Sequence, residues 1–113
     1  MVTTKEYQDG IEQLRPKVLR FVDLDLVYAT LALNGEAGEV AEVVKKIARD
    51  NPDGIITDES RDMLIKELGD VMWGVAAVSN RLGVSIDEVM ERNLNKMRDR
   101  KARGTLHGWG NDR

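Results

Sequence analysis

The sequence contains no cysteine, a single histidine and only two prolines, and aromatic residues make up 4% of the chain. Without cysteine there is no disulfide framework, thiolate metal site or cysteine nucleophile. The lone His107 excludes a metal site built from several histidines of one chain. No stretch approaches the roughly 18 apolar residues of a membrane span, and no signal-peptide pattern opens the sequence. With a formal net charge of −3, these absences favour a soluble cytoplasmic protein without a membrane or nucleic-acid partner.

The residues that are present favour helices. A chain of 113 residues is long enough for one domain with a single core. Its apolar volume comes mainly from Leu, Val, Ile, Ala and Met, which suit helices better than a sandwich of short strands. We therefore expect an all-α, four-helix-bundle-type fold over residues 1–103, followed by a tail over residues 104–113 that is too Gly-rich for a helix.

Capping residues mark the first two predicted helices. Thr3 or Thr4 can cap a helix that runs to about residue 14, where Pro16 ends or bends it. Asp23 or Asp25 can cap a second helix over about residues 25–49. The sequence predicts no element for residues 16–23.

Two further helices follow a turn signal at residues 51–54, Asn-Pro-Asp-Gly. Thr57 or Asp58 can cap the third helix, which Gly83 ends after Leu82. The fourth begins at the capping box Ser85-Ile-Asp-Glu88.

Each predicted helix carries an apolar stripe at helical spacing, which we expect to face the core. Trp73 projects away from the stripe of its helix and is predicted to lie at an oligomer interface or in the core. The stripes are Tyr7, Ile11 and Leu14; Val27, Leu31, Leu33, Val40, Val43, Val44 and Ile47; Leu64, Leu68, Val71, Val75, Val78 and Leu82; and Ile86, Val89, Met90, Leu94 and Met97.

Four carboxylates stand out from this pattern: Glu36 and Glu39 in the second helix, and Glu67 and Asp70 in the third. Each pair is three residues apart, which places both members on one side of a helix. Carboxylates are common on helices, so the spacing alone is weak evidence. Glu36, however, lies within the apolar stripe, where an uncompensated charge is costly. A divalent cation such as Mg²⁺ or Mn²⁺ would compensate the converging charges, because hard cations prefer oxygen ligands.

Glycines flank the first acidic pair. Gly35 and Gly38 each cost about 1 kcal/mol relative to Ala in a helix. They indicate either the close approach of a neighbouring helix or ligand, or a local bend.

A polar ladder follows the edge of the fourth stripe, formed by Asn93, Lys96, Arg100 and Arg103. One interpretation is a solvated basic helix face. The other is a polyphosphate site, in which metal ions hold some oxygens while Lys and Arg neutralise others.

Together these motifs resemble a known family. Glu36-x-x-Glu39 and Glu67-x-x-Asp70, separated by 27 residues, are similar to the E-x-x-E…E-x-x-D signature of the MazG-like branch of all-α nucleotide pyrophosphohydrolases. The surrounding blocks agree: Leu-Asn-Gly-Glu-Ala-Gly-Glu-Val-Ala-Glu, Lys-Glu-Leu-Gly-Asp-Val-Met-Trp, and Asn93-Leu-Asn-Lys96. The Glu-Tyr-Gln start and the Arg-Gly-Thr-Leu-His-Gly tail extend the resemblance over nearly the whole chain.

The resemblance implies Mg²⁺-dependent hydrolysis of nucleoside triphosphates to monophosphate and pyrophosphate, in nucleotide-pool housecleaning, with Mn²⁺ as a possible substitute. It implies that the four-helix-bundle-type fold is completed by oligomerisation, in a homotetramer or alternatively a dimer. The implied roles are metal ligation by all four carboxylates, orientation or deprotonation of the attacking water by Glu39, and phosphate binding by four residues on or just after the predicted fourth helix. These residues are, for the metal, Glu36, Glu39, Glu67 and Asp70, and, for the phosphates, Asn93, Lys96, Arg100 and Arg103.

Other functions remain open at this point. Enzymes specific for dUTP or dCTP, and phosphoribosyl-ATP pyrophosphohydrolase, share the motif. A non-catalytic nucleotide-sensing module could retain the same acidic site. A ferritin-like di-iron protein is rejected, because it needs Glu-x-x-His pairs and His107 lies outside the predicted helices.

Overall fold

The computed structural model describes residues 1–16, 20 and 23–113, and every regular element in those ranges is an α-helix. The all-α fold class is therefore confirmed, and the helix ends agree with the predicted ones to within a residue or two. Residues 17–19, 21 and 22, which belong to the stretch without a predicted element, lie outside the described residues. The helices are α1 (Thr4–Leu14), α2 (Leu24–Asp50), α3 (Asp58–Leu82) and α4 (Ile86–Ala102).

The helix ends are fixed by the local bonds that the sequence predicts. The Thr57 hydroxyl accepts the N–H of Ser60 at 3.1 Å at the start of α3, and Ser85 accepts the N–H of Glu88 at 3.1 Å at the start of α4. These bonds satisfy N–H groups that the first helical turn leaves free. Gly83 ends α3 with a φ of 69°, a left-handed conformation that favours glycine.

The main tertiary contact joins α2 and α3, which pack as a helical hairpin. Its closest approach is at Gly74, where an added β-carbon would lie 2.9 Å from the Cα atom of Leu33. At Gly35 and Gly38, by contrast, an added β-carbon would meet nothing within 4 Å. The interhelical approach that the sequence suggests for Gly35 and Gly38 is therefore made by Gly74 within this chain.

The other two helices extend away from the hairpin. Helix α4 contacts α3 over a small area and does not contact α2, and α1 contacts none of the other three helices. The radius of gyration is 19.9 Å, whereas a compact domain of this length has about 13 Å. Over the described part of the chain, we find no helix with the length and apolarity that a bilayer crossing requires.

The chain buries little apolar surface by itself. Among the described residues, Ala29 and Val43 are the buried hydrophobic residues. The accessible surface area is 9747 Å², against about 6,200 Å² for a compact monomer of this mass. The four stripes do not form one core within a single chain, because α1 and α4 do not fold over the hairpin. Completion of the fold by oligomerisation stays a prediction. The stripe residues left exposed are Tyr7, Ile11, Leu14, Leu31, Val44, Leu68, Leu82, Val89, Met90, Leu94 and Met97.

Candidate metal centre and basic face

Three carboxylates from the two hairpin helices converge on one point. Helix α2 contributes Glu36, and α3 contributes Glu67 and Asp70, with one carboxylate oxygen of each lying within 4.8 Å of the other two. Because Leu33 precedes Glu36 by one turn and Gly74 follows Asp70 by about one turn, the tight Leu33–Gly74 contact holds the helices together beside these side chains. The hairpin thus assembles three of the four carboxylates in the predicted metal site.

The donor set fits a hard divalent cation. Glu36 and Glu67 are half-buried and Asp70 is exposed, so the cluster has one open side for water or substrate. An octahedral ion with bonds of about 2.1 Å places its ligand oxygens about 3 to 4 Å apart, and small side-chain rotations would bring these oxygens to that spacing. Among the described residues, no Lys or Arg forms an ion pair with any of the three. Their mutual repulsion is therefore left for a bound cation to offset.

Glu39, the fourth predicted ligand, lies outside this cluster. It is exposed on α2, and it is not among the residues whose carboxylate oxygens lie within 4.8 Å of one another. The structure therefore separates Glu39 from the three clustered residues in position, and its role stays a prediction.

The predicted phosphate ligands lie on α4, away from the hairpin. Asn93, Lys96 and Arg103 are exposed, and Arg100 is buried. None of the three basic residues lies within ion-pair distance of the clustered carboxylates, and α4 does not contact α2. The carboxylates and the basic face, which we expect to share one site, thus form no ion pair within the described part of a single chain.

The tail folds back over this basic face, a feature that the sequence does not predict. The Asn111 side-chain oxygen accepts bonds from Lys96 Nζ at 3.2 Å and from Arg100 Nη2 at 3.1 Å. Arg100 Nη2 also donates to the main-chain oxygen of Asn111. Arg103 Nη2 donates to the main-chain oxygen of Arg113 at 2.8 Å, while its Nε pairs with Asp99. Three of the four predicted phosphate ligands are therefore bonded to the tail.

The return of the tail begins at Gly104. This residue has a φ of 72°, and its N–H donates to the Lys101 carbonyl at 3.2 Å. The next N–H, of Thr105, donates to the Arg100 carbonyl at 2.7 Å. These bonds cap the last turn of α4 and reverse the chain direction. A glycine after a basic last turn signals such a cap in the sequence, but it does not reveal where the following residues pack.

An ion pair closes the end of the hairpin opposite the α2–α3 turn. The Asp23 carboxylate caps α2 by accepting the N–H of Leu26 at 3.0 Å, and Arg81 of α3 donates to it at 2.9 Å. The bond from Leu26 and then the bond from Arg81 hold the pKa of the Asp23 carboxyl below its usual value. One carboxylate thus serves both as a helix cap and as a link between the two helices.

Two further surface features, Trp73 and a cleft beside the α2–α3 turn, lie outside this candidate site. Trp73 is 56% exposed, which excludes it from the core of this chain. A cleft of about 370 Å³ lies between the end of α2 and the start of α3, lined by residues such as Val43, Lys46 and Met63. None of the predicted site residues lines that cleft, so we place the functional site at the carboxylates.

Comparison with known proteins agrees with this geometry. The chain is 56% identical over 88 residues to the Gene 37 protein of Mycobacterium phage L5, covering 78% of this chain and 76% of that protein. It is 38% identical over 69 residues to the uncharacterized protein YvdC of Bacillus subtilis (strain 168), covering 58% of this chain and 65% of YvdC. No solved structure was found to match.

The sequence model of one family covers most of the chain. The MazG nucleotide pyrophosphohydrolase domain matches residues 28–104, a range that contains all three clustered carboxylates, Glu39 and the basic face of α4. The predicted family resemblance is therefore confirmed, and the chain belongs to the MazG nucleotide pyrophosphohydrolase domain family.

Proposed function

We propose that this protein hydrolyses nucleoside triphosphates to nucleoside monophosphate and pyrophosphate with Mg²⁺, or Mn²⁺ in its place, in nucleotide-pool housecleaning. The observation that carries the proposal is the convergence of Glu36, Glu67 and Asp70 within 4.8 Å in a chain of the MazG family. Such a cluster has the ligand chemistry that phosphate-bound divalent cations require.

The four carboxylates have two roles in the proposed reaction, which are cation binding and activation of the attacking water. Glu36, Glu67 and Asp70 would hold the cation, which would supply neutralisation of phosphate oxygens and make water more acidic. Glu39, at the exposed edge of this group, adds its carboxylate to the metal site and orients the attacking water or accepts its proton. Water oxygen bonds to the phosphorus nearest the sugar, and the bond from that phosphorus to its bridging oxygen breaks. Pyrophosphate leaves with the electron pair of the broken bond.

The basic face of α4 stabilises the leaving group. Asn93 and Lys96 are exposed and would bind phosphate oxygens, and Arg100 and Arg103 would add positive charge beside them. Charge-assisted bonds to these side chains favour pyrophosphate over the intact triphosphate, because negative charge develops on the leaving oxygen.

A complete site on this plan needs more than one chain. Because α4 contacts α3 over a small area and does not contact α2 in the single chain, we propose that a second chain brings a basic face to each carboxylate group, in a tetramer or alternatively a dimer. The accessible surface and the radius of gyration, both well above those of a compact monomer, support such an assembly.

The exposed side of α2 is the surface that we propose for this association. Leu24, Tyr28 and Leu31 are 75%, 70% and 65% exposed, and Gly35 and Gly38 continue the same line along the helix with open space beside them. The spacing of these five residues alternates between four and three, which is the seam of a helix that packs against a partner helix. Glycines in such a seam let two backbones approach closely.

The test is a pyrophosphate-release assay over canonical and modified NTPs and dNTPs with Mg²⁺ or Mn²⁺. We expect release of pyrophosphate and monophosphate by the wild type and its loss in Glu67→Gln and Glu39→Gln. Glu91→Gln, which removes an exposed α4 carboxylate outside the cluster, is the matched control and should keep full activity.

The substrate panel also separates the narrower functions. If the protein hydrolyses only dUTP or dCTP, or only phosphoribosyl-ATP, its function is that specific reaction and not general nucleotide-pool housecleaning. If no nucleotide is hydrolysed although Mn²⁺ binds, the protein is a nucleotide-sensing module and the proposed enzymatic function is wrong.

A further inference from the structure

Arg100 is a buried cation without an anionic partner. Its exposure is 7%, and no carboxylate of the described residues lies within 4.0 Å of it, whereas Arg81, Arg92 and Arg103 each have such a partner. Its guanidinium bonds instead to the two uncharged oxygens of Asn111. Burying a charge is costly unless an opposite charge accompanies it, so this position favours an anion over the amide that now occupies it.

The Asn111 side-chain oxygen also marks the position such an anion would take. It is shared by Arg100 Nη2 at 3.1 Å and Lys96 Nζ at 3.2 Å, two donors one helical turn apart. A phosphate oxygen placed there would accept the same two bonds. Because it carries negative charge, its bonds would be about twice as strong as those of the neutral amide.

We propose that the C-terminal tail is a displaceable strap in which Asn111 occupies the Lys96–Arg100 pair until the polyphosphate of the nucleotide takes its place. The identity of the anion rests on the proposed function, but the displacement itself does not. The strap therefore acts as an internal competitor that sets how tightly this chain binds polyphosphate.

The tail is built to move as a unit. The Arg113 guanidinium donates to the carbonyl oxygens of Thr105, Leu106 and Gly110, so these bonds close the tail on itself and do not depend on α4. The side-chain bonds from α4 to the tail end on Asn111 and on the main-chain oxygen of Arg113. Releasing these few bonds frees the strap, while Gly104 with its φ of 72° supplies the hinge.

Two substitutions of Asn111 test the strap, because they should change the affinity for tripolyphosphate in opposite directions. Titration calorimetry with tripolyphosphate, in the absence of divalent cations, compares the wild type with Asn111→Ala and Asn111→Asp. Asn111→Ala removes the competing oxygen and should bind tripolyphosphate about fivefold more tightly. Asn111→Asp is nearly isosteric but supplies a carboxylate to Lys96 and Arg100, and it should bind at least about fivefold more weakly. Arg98→Ala, on an exposed α4 residue without a described tail bond, is the charge-matched control for loss of a cation.

Trp109 reports the displacement directly, because it lies in the tail and is 97% exposed. In a Trp73→Phe background, tripolyphosphate should lower the fluorescence anisotropy of Trp109 in the wild type and leave it unchanged in Asn111→Asp at the same concentration. Weaker binding by Asn111→Ala would overturn the strap and make Asn111 part of the site. Equal binding by all three proteins, or an unresponsive Trp109 at saturation, would overturn it as well.

The outcome for the strap is separable from that for the enzyme. If nucleotides are hydrolysed but the Asn111 variants bind tripolyphosphate like the wild type, the strap is wrong and the proposed function stands. If tripolyphosphate displaces the tail while no nucleotide is hydrolysed, the strap stands and the proposed function is wrong.

Discussion

Gly74 of α3 faces Leu33 of α2 so closely that no side chain fits between the two helices. A β-carbon added at position 74 would lie 2.9 Å from both the Cα and the Cβ atoms of Leu33 and 3.1 Å from a Leu33 methyl carbon. The Leu33 Cα and Cβ atoms cannot shift unless the α2 backbone shifts with them, because no side-chain rotation moves either atom. The contact therefore fixes the helix separation next to Glu36 and Asp70, on which the spacing of the carboxylates depends.

Substituting Gly74 by Ala should force the two helices apart. We expect the free energy of unfolding to fall by about 1 to 3 kcal/mol, the usual cost of overpacking, and Mn²⁺ affinity to fall because Glu36 moves away from its partners. Urea denaturation measures the first effect and calorimetry the second. Gly69→Ala is the control on the same helix, since a β-carbon there meets nothing within 4 Å, and it should stabilise by about 0.5 to 1 kcal/mol. Unchanged Mn²⁺ binding in Gly74→Ala would show that the contact does not position the site.

The separation of Glu39 from the other carboxylates predicts different effects on binding and turnover. Glu67→Gln should weaken Mn²⁺ binding at least tenfold, since it removes a charged ligand from the three-carboxylate cluster. Glu39→Gln should keep more of the Mn²⁺ affinity and still lose pyrophosphate release, because it removes the carboxylate that we propose to orient or deprotonate the attacking water. Paramagnetic resonance of free Mn²⁺ measures binding beside the activity assay. Equal losses of Mn²⁺ affinity in the two variants would place Glu39 fully within the metal site.

The lowered pKa of Asp23 predicts how stability depends on pH. A carboxyl whose folded pKa lies below its ordinary value of 3.8 contributes stability above that value, and the contribution is lost as the pH falls through the lower folded pKa. Asp23→Asn keeps an oxygen for the α2 cap but loses the charge facing Arg81. We expect it to be less stable than the wild type at pH 7 and nearly equal to it well below pH 3.8.

Asp23→Ala separates the cap from the ion pair in the same experiment. It loses the bond to Leu26 as well as the one from Arg81, so it should remain less stable than Asp23→Asn at both pH values. Thermal unfolding of the three proteins at neutral and acidic pH measures the differences. A deficit of Asp23→Asn that does not change with pH would contradict a contribution from the charge.

The exposed α2 stripe predicts a substitution that separates the chains. Leu31→Lys places a charge in the proposed seam and should shift the protein from oligomer to monomer in light scattering, with loss of pyrophosphate release. Thr30→Lys is the neighbouring control, since Thr30 is exposed and about 100° away around the helix, and it should leave the assembly intact. A wild-type protein that is monomeric and active would refute the proposal that a second chain completes the site.

Features that depend on a few neighbouring residues are the ones that the sequence predicts well. The caps at Thr57 and Ser85 and the helix end at Gly83 follow from bonds within one turn, and all three are present. Of the capping box predicted at Ser85, the bond from the Glu88 N–H to Ser85 forms, whereas the Glu88 carboxylate pairs with Arg92. The carboxylate spacing also identifies three residues that do converge, because a helical hairpin keeps one face of each helix toward the other.

Contacts between segments that are distant in the sequence could not be predicted from such local patterns. Both Gly35 and Gly74 look like helix-weakening glycines in the sequence, and only the register of α2 against α3 decides that Gly74 is the one in the contact. The hydrogen bond from Arg100 to Asn111 depends on the path of an irregular Gly-rich tail. Such a tail has no apolar periodicity from which its path could be predicted. The exposure of Leu31 likewise reflects how the helices are arranged. Apolar spacing predicts which face of a helix is buried, but not which helix or chain covers that face.

Binding of a cation at the proposed site would be coupled to closure of the α2–α3 hairpin. Its two helices are joined by a short turn and supply the main tertiary contacts, so closing the hairpin needs little loop-closure entropy and brings together residues close in sequence. The same event assembles Glu36, Glu67 and Asp70. A cation that binds only the closed hairpin stabilises it in proportion to the logarithm of the cation concentration. The availability of divalent ions would thus govern not only turnover but also how much of the newly made chain keeps its central hairpin closed.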